Sequence, residues 1–160
     1  MSAPPALPEV VLDTDVLVRA LIKPAGVSAE VLDALTDGHF TLVTSEVLLR
    51  ELDATLRKPR IMRYAALVDE DIERLVQVVR RLARVVAGDL TVEIVRADPK
   101  DDPVVAAALE AGARTIVSGD RRHLLALKVV VVAGYAPVQI VSVPAFLRHV
   151  LGRPRPTRPS

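Results

Sequence analysis

The chain has no cysteine and no tryptophan, and only two phenylalanines and two tyrosines in 160 residues. Without cysteine there is neither a disulfide framework nor a thiolate metal site, which fits a reducing cytoplasm. So few rings argue against an aromatic platform for stacked bases. No apolar run reaches the roughly 18 residues needed for a membrane span, so no membrane partner is expected. The start, MSAPPALPEV, lacks a basic segment followed by an apolar one, and no secretory signal is read there. Charge of one sign is also missing. The net charge is +1, so a polyanion would have to meet a local basic patch.

What is present is a 51% hydrophobic, 26% charged sequence, long enough for one soluble domain with a substantial core. Residues 1–8 read as an irregular lead-in and 9–151 as the domain. Residues 152–160, GRPRPTRPS without its neighbours, read as an extended, mobile tail whose arginines are either solvated or touch a polyanion.

Within the domain, short apolar runs alternate with helical patterns. Strands are expected at Glu9–Leu12, 41–43, 91–95 (TVEIV), 114–118 (RTIVS) and 138–143 (VQIVSV). Helices are expected from Val16 to Ile22, from a Ser28 cap to Thr36, from Ser45 to Leu56 with a stop near Pro59, and over 102–111 up to Gly112. Ile72, Leu75, Val76, Val79, Leu82, Ala83 and Val86 keep helical spacing. A last helix covers 144–151, while LLALKVVVVAGY reads equally as helix end or strand. Such alternation predicts an α/β fold with a parallel sheet covered on both faces.

Acidic residues interrupt this apolar framework at particular places. Asp13 follows the strand EVVL and Asp120 follows RTIVSG, so two strands deliver an aspartate to the same sheet edge. Each is alternatively a helix cap or turn residue. At about 100° per residue, Glu51 falls between Val47 and Leu48, inside the apolar sector of its helix, and is read as pointing into a site. Asp98, Asp101 and Asp102 crowd the start of another helix, where Asp102 before Pro103 is also a natural N-cap. An all-oxygen anionic set suits Mg²⁺ or Mn²⁺, which relieves the repulsion between carboxylates. Asp15 is read as a cap or as support for the metal-binding acids.

The segments VVLDTDVLVRALI, TSEVLLRELDATLRKPRI, DPKDDPVVAAALEAGARTIVSGDRRHLLAL and VQIVSVPAFL, taken in order, resemble the blocks of a PIN-domain ribonuclease over about residues 9–150. More narrowly, they resemble the branch formed by toxin components of toxin–antitoxin pairs. The resemblance implies a three-layer α/β/α sandwich and Mg²⁺- or Mn²⁺-dependent RNA cleavage. The metal-binding acids carry over onto Asp13, Glu51, Asp102 (with Asp101 the alternative) and Asp120. Ser118 matches a small hydroxyl residue, commonly threonine, beside the site. Asp15 stands where asparagine is usual, and Pro103 after the third acid is a further departure. A homodimer and a small antitoxin partner in the cytoplasm are implied with the family.

The inferred reaction is attack of water on a phosphodiester, with the metal activating the water and stabilising the departing oxygen. No histidine base is required, and His39, His123 and His149 are assigned to surface or packing, His123 being the one able to approach substrate. Arg121 and Arg122, next to Asp120, and Lys58 in the basic stretch RELDATLRKPRIMRY are candidates for RNA phosphates or simply members of a solvated face. Two rivals stand beside this reading. One is a haloacid-dehalogenase-like phosphatase with Asp13 as nucleophile, although Leu17 departs from its motif. The other is a PIN-like binding module without turnover.

Overall fold

Val10, Val11 and Leu12 are all buried, as expected of a strand covered on both faces, and they form the centre of the sheet. The computed structural model describes residues 6–90, 102–150 and 152. The expected strand 91–95, Asp98, Asp101 and the tail from 153 onward lie outside the described residues; for Asp102 only the backbone is described.

In chain order the elements are β1 (Glu9–Leu12), α1 (Thr14–Ile22), α2 (Val27–Thr36), β2 (Thr41–Ser45), α3 (Glu46–Leu56), α4 (Pro59–Tyr64), α5 (Asp69–Leu82) and β3 (Ala83–Val86). They continue with α6 (Asp102–Ala111), β4 (Thr115–Val117), α7 (Leu124–Leu127), β5 (Val129–Val130), β6 (Val138–Val141) and α8 (Val143–Ala145). A wide π-turn over Phe146–Val150 follows. The sheet order is β3-β2-β1-β4-β6-β5, parallel throughout except for the antiparallel edge pair β5–β6. Helices lie on both faces. Val10 and Leu12 pack with the layer that includes Val16, Leu35, Leu52 and Ile72, whereas Val11 packs with Val104, Val105 and Ala108 of α6. This is the expected α/β/α sandwich.

From β1 the chain builds outward through β2 and β3, then crosses to the other side for β4. Strand order therefore reverses between β1 and β4, the point beyond whose carboxyl ends such sheets bind ligands. In this register Leu12 is level with Val117. The residues after each, Asp13 and Ser118, are consequently delivered to the same point. Because α6 leads into β4 by a parallel crossover, its first residue, Asp102, also lies at the carboxyl edge.

Several local expectations need correction. Helix α1 starts at Thr14, with Asp13 at the cap position, so Asp15 sits in the first turn and caps nothing. Gly26, not Ser28, precedes α2; Ser28 is buried in its first turn. Pro59 does not simply end α3: it opens α4, where a missing N–H is harmless. The helical stripe stops at Leu82. Ala83–Val86 instead pairs with Leu42–Ser45 as an edge strand, because the sheet offers hydrogen bonds that a longer α5 would forgo. The ambiguous segment resolves into α7, a turn at Lys128 with φ of 60°, and β5.

Candidate active site at the strand-order reversal

Asp13 follows a strand whose last residue is fully packed, and its backbone N–H still belongs to the sheet, donating to the Val117 carbonyl at 2.9 Å. Its side chain is only 7% exposed and makes no capping bond to the helix it precedes. The Ser118 hydroxyl donates instead to Asp13 Oδ2 at 2.9 Å. The same hydroxyl oxygen accepts the Asp120 backbone N–H at 3.0 Å. Ser118 is fully buried, held by its own N–H to the Val141 carbonyl, and so locks the ends of β1 and β4 together.

Asp120 is positioned by the turn that leads to α7. Its Oδ1 accepts the backbone N–H groups of Arg122 (3.1 Å) and His123 (3.2 Å), while Oδ2 lies 3.1 Å from His123 Nδ1. Asp120 is thus a turn residue, one of its two sequence readings, and it stays within hydrogen-bond reach of Ser118 through its backbone. Asp15 lies alongside. A Cβ placed on Gly119 would sit 3.3 Å from Asp15 Oδ2, and Arg19 reaches the same oxygen at 3.4 Å.

Burial pushes the Asp13 carboxyl upward; the Ser118 hydroxyl opposes this, the charge on Asp15 adds to it, the Thr14 backbone N–H opposes it, and Asp120 adds again. Glu51 arrives from α3, half-buried like Glu46 and Asp53 on the same helix, with Oε2 accepting from the Thr14 hydroxyl at 3.4 Å.

Asp13, Ser118 and Asp120 are therefore joined by hydrogen bonds. Asp15 stands beside them, and Glu51 approaches through the residue after Asp13. Among the described residues no three acidic or imidazole groups converge closely enough to enclose an ion. The donor chemistry nevertheless fits a hard cation: all donors are oxygen, and the central carboxylate is buried among like charges. Arg121 and Arg122 are exposed next to Asp120. Lys58 caps α4 on the surface, beyond the far end of α3. One contributor escaped the sequence reading: Thr14, signalled only by lying between two acids. His123, read as the histidine able to approach substrate, lies against Asp120.

A mostly parallel sheet covered on both faces, with Asp13, Asp15 and Asp120 near the reversal of strand order, defines an α/β/α protein with an acidic patch at that point. The profile of the PIN domain matches residues 9–122, and the chain belongs to the PIN-domain family. PIN domains are generally nucleases and generally use divalent metals. Nine chains of solved structures match the fold. One comes from the crystal structure of VapBC2 from Rickettsia felis bound to a DNA fragment from their promoter. It has a TM-score of 0.55 and 13% identity, with 84% of this chain and 98% of that chain covered. At that identity the likeness is one of fold. No curated protein matches the sequence significantly. Among the described residues no helix is long and apolar enough to cross a membrane.

Proposed function

We propose that this chain is a divalent-metal-dependent endoribonuclease, the toxin half of a toxin–antitoxin pair, working as a homodimer in the cytoplasm. The observation that carries the reading is the buried Asp13, bonded through Ser118 to the Asp120 turn and crowded by Asp15. The solved complex of VapBC2 with promoter DNA supports an antitoxin partner by likeness of fold. Asp13, Glu51, Asp102 and Asp120 would hold Mg²⁺ or Mn²⁺, with Asp101 the alternative to Asp102.

Bound there, the ion supplies a Lewis acid that activates water and offsets charge on the phosphate. The protein's own part is positioning. Ser118 fixes the rotamer of Asp13, two backbone N–H groups and the His123 ring orient Asp120, and Thr14 steers Glu51. Arg121 and Arg122 would hold phosphates flanking the scissile one. An aspartyl-phosphate phosphatase would need Asp15 free as the acid–base partner of Asp13. Asp15 is paired with Arg19 instead, which disfavours that reading.

The test is RNA incubated with Mn²⁺, comparing wild type with Asp13→Asn and Glu51→Gln. Each substitution is expected to lower the cleavage rate on the order of 10²-fold or more, with the fold verified by circular dichroism. Cleavage that survives both would overturn the metal mechanism. A wild type that binds RNA without cutting it would leave a PIN-like binding module.

A further inference from the structure

Beside the carboxylates, on the side of Asp15, α1 and α4 leave a cleft of about 300 Å³. Asp15 lines it, and a Cβ placed on Gly119, between Ser118 and Asp120, would sit 3.3 Å from the Asp15 carboxylate, so the cleft shares that residue's neighbourhood with the candidate active site. Ile22 and Ile61 give it an apolar floor. Arg19, Lys23 and Arg60 line its walls. Arg19 is paired with Asp15 at 3.4 Å, so Lys23 and Arg60 give the lining its excess of positive charge, on a molecule whose total charge is only +1.

Tyr64, at the end of α4, completes the lining. Its side chain is 63% exposed, although a tyrosine ring carries a large apolar surface. Lys23 Nζ stands over the ring at 5.7 Å from its centroid, so one of the four aromatic residues of the chain is displayed beside a cation in the cleft that Asp15 also lines. Phe40 and Phe146, by contrast, are buried against each other edge to face. An exposed π-face flanked by cations is the arrangement that holds single-stranded nucleic acid: the ring takes a base and the cations take phosphates.

We propose that this cleft is a subsite for single-stranded RNA beyond the dinucleotide being cut, with a base stacked on Tyr64 and phosphates held by Lys23 and Arg60. The inference rests on the nuclease reading for its substrate but is tested without catalysis. Binding of a fluorescently labelled oligoribonucleotide is measured by anisotropy in EDTA for wild type, Tyr64→Ala, Tyr64→Phe and the double variant Lys23→Glu/Arg60→Glu. These side chains lie at the surface, and thermal melts check that each variant folds.

Tyr64→Ala is expected to weaken binding roughly 5- to 150-fold, the range for loss of one stacked base. Tyr64→Phe is expected to retain it, and the double variant to weaken it with a flatter salt dependence. In Mn²⁺ and at low oligonucleotide concentration, the Tyr64→Ala variant should cut more slowly by a similar factor. Binding indifferent to both Tyr64→Ala and the double variant overturns the subsite, whether or not RNA is cut. Tyr64-dependent binding by a wild type that cuts nothing supports the subsite and overturns the nuclease reading instead.

Discussion

Asp13 couples the site to the stability of the chain through its proton. In the folded protein its carboxyl titrates above the ordinary 3.8, because burial and neighbouring carboxylates disfavour the charged form. The folded state therefore binds that proton more tightly than the unfolded state does. This residue's contribution to stability is fully present below the unfolded pKa, and is lost as pH rises through the folded one. Asp13→Asn removes the penalty. In EDTA at neutral pH the variant is expected to melt above wild type, with the gap closing as pH falls toward the ordinary carboxylate range. A variant that melts below wild type across this window would show that Asp13 is stabilising as an anion, contrary to its surroundings. Ser118 and His123 act on the same scale, since each fixes the orientation of one acid and neither lies on an expected metal-ligand position.

At the scale of elements, the site depends on where helices stop and strands begin. Helix α6 ends in a Schellman arrangement: the Gly112 N–H donates to the Leu109 carbonyl at 3.2 Å and the Ala113 N–H to the Ala108 carbonyl at 2.9 Å. Gly112 has φ of 72° and nothing within 4 Å of a Cβ placed on it, so substitution there meets only backbone strain. Gly112→Ala is expected to cost about 1–2 kcal/mol, seen as a lower melting temperature with unchanged metal response. An unchanged melt would mean that the turn relaxes without cost. This exit sets the chain into β4, and β4 delivers Ser118 and Asp120. Helix α4 likewise owes its start to Pro59, and its position sets Arg60 and Tyr64 along the cleft beside Asp15.

For the whole molecule, a ligand that binds only the folded state raises its stability. At 100 times the dissociation constant the gain is about 2.7 kcal/mol, or roughly 5–11 °C in melting temperature at about 2–4 °C per kcal/mol for a domain near this size. Mn²⁺ or Mg²⁺ is expected to raise the wild-type melt by that order, and the Asp13→Asn melt by much less. Equal shifts in both proteins would place any bound metal elsewhere. Charge balance near zero also makes RNA affinity a matter of local cations. Replacing Arg121 and Arg122 by alanine is expected to flatten the slope of log K against log salt by about 0.7 for each lost phosphate contact on a single strand. An unchanged slope would remove both from the interface.

The alternation of apolar runs with helical patterns was enough to determine the layered α/β architecture, because burying both faces of a sheet demands continuous Val, Ile and Leu in the strands. The strand-end position of Asp13, and of Asp120 just past Ser118, was legible for the same reason: the apolar runs mark where each strand stops. Other features depended on partners distant in the chain. Ala83–Val86 continues a helical stripe in sequence and becomes a strand only because β2 offers an edge. Asp15 looks like a cap until α1 is seen to begin at Thr14. The link from Asp13 through Ser118 to Asp120 joins residues more than a hundred positions apart, and the cleft that displays Tyr64 exists only where α1 meets α4. Local spacing decides periodicity and burial; strand order and helix packing decide which charges and rings become neighbours, since contacts between distant segments have no signature in either segment alone.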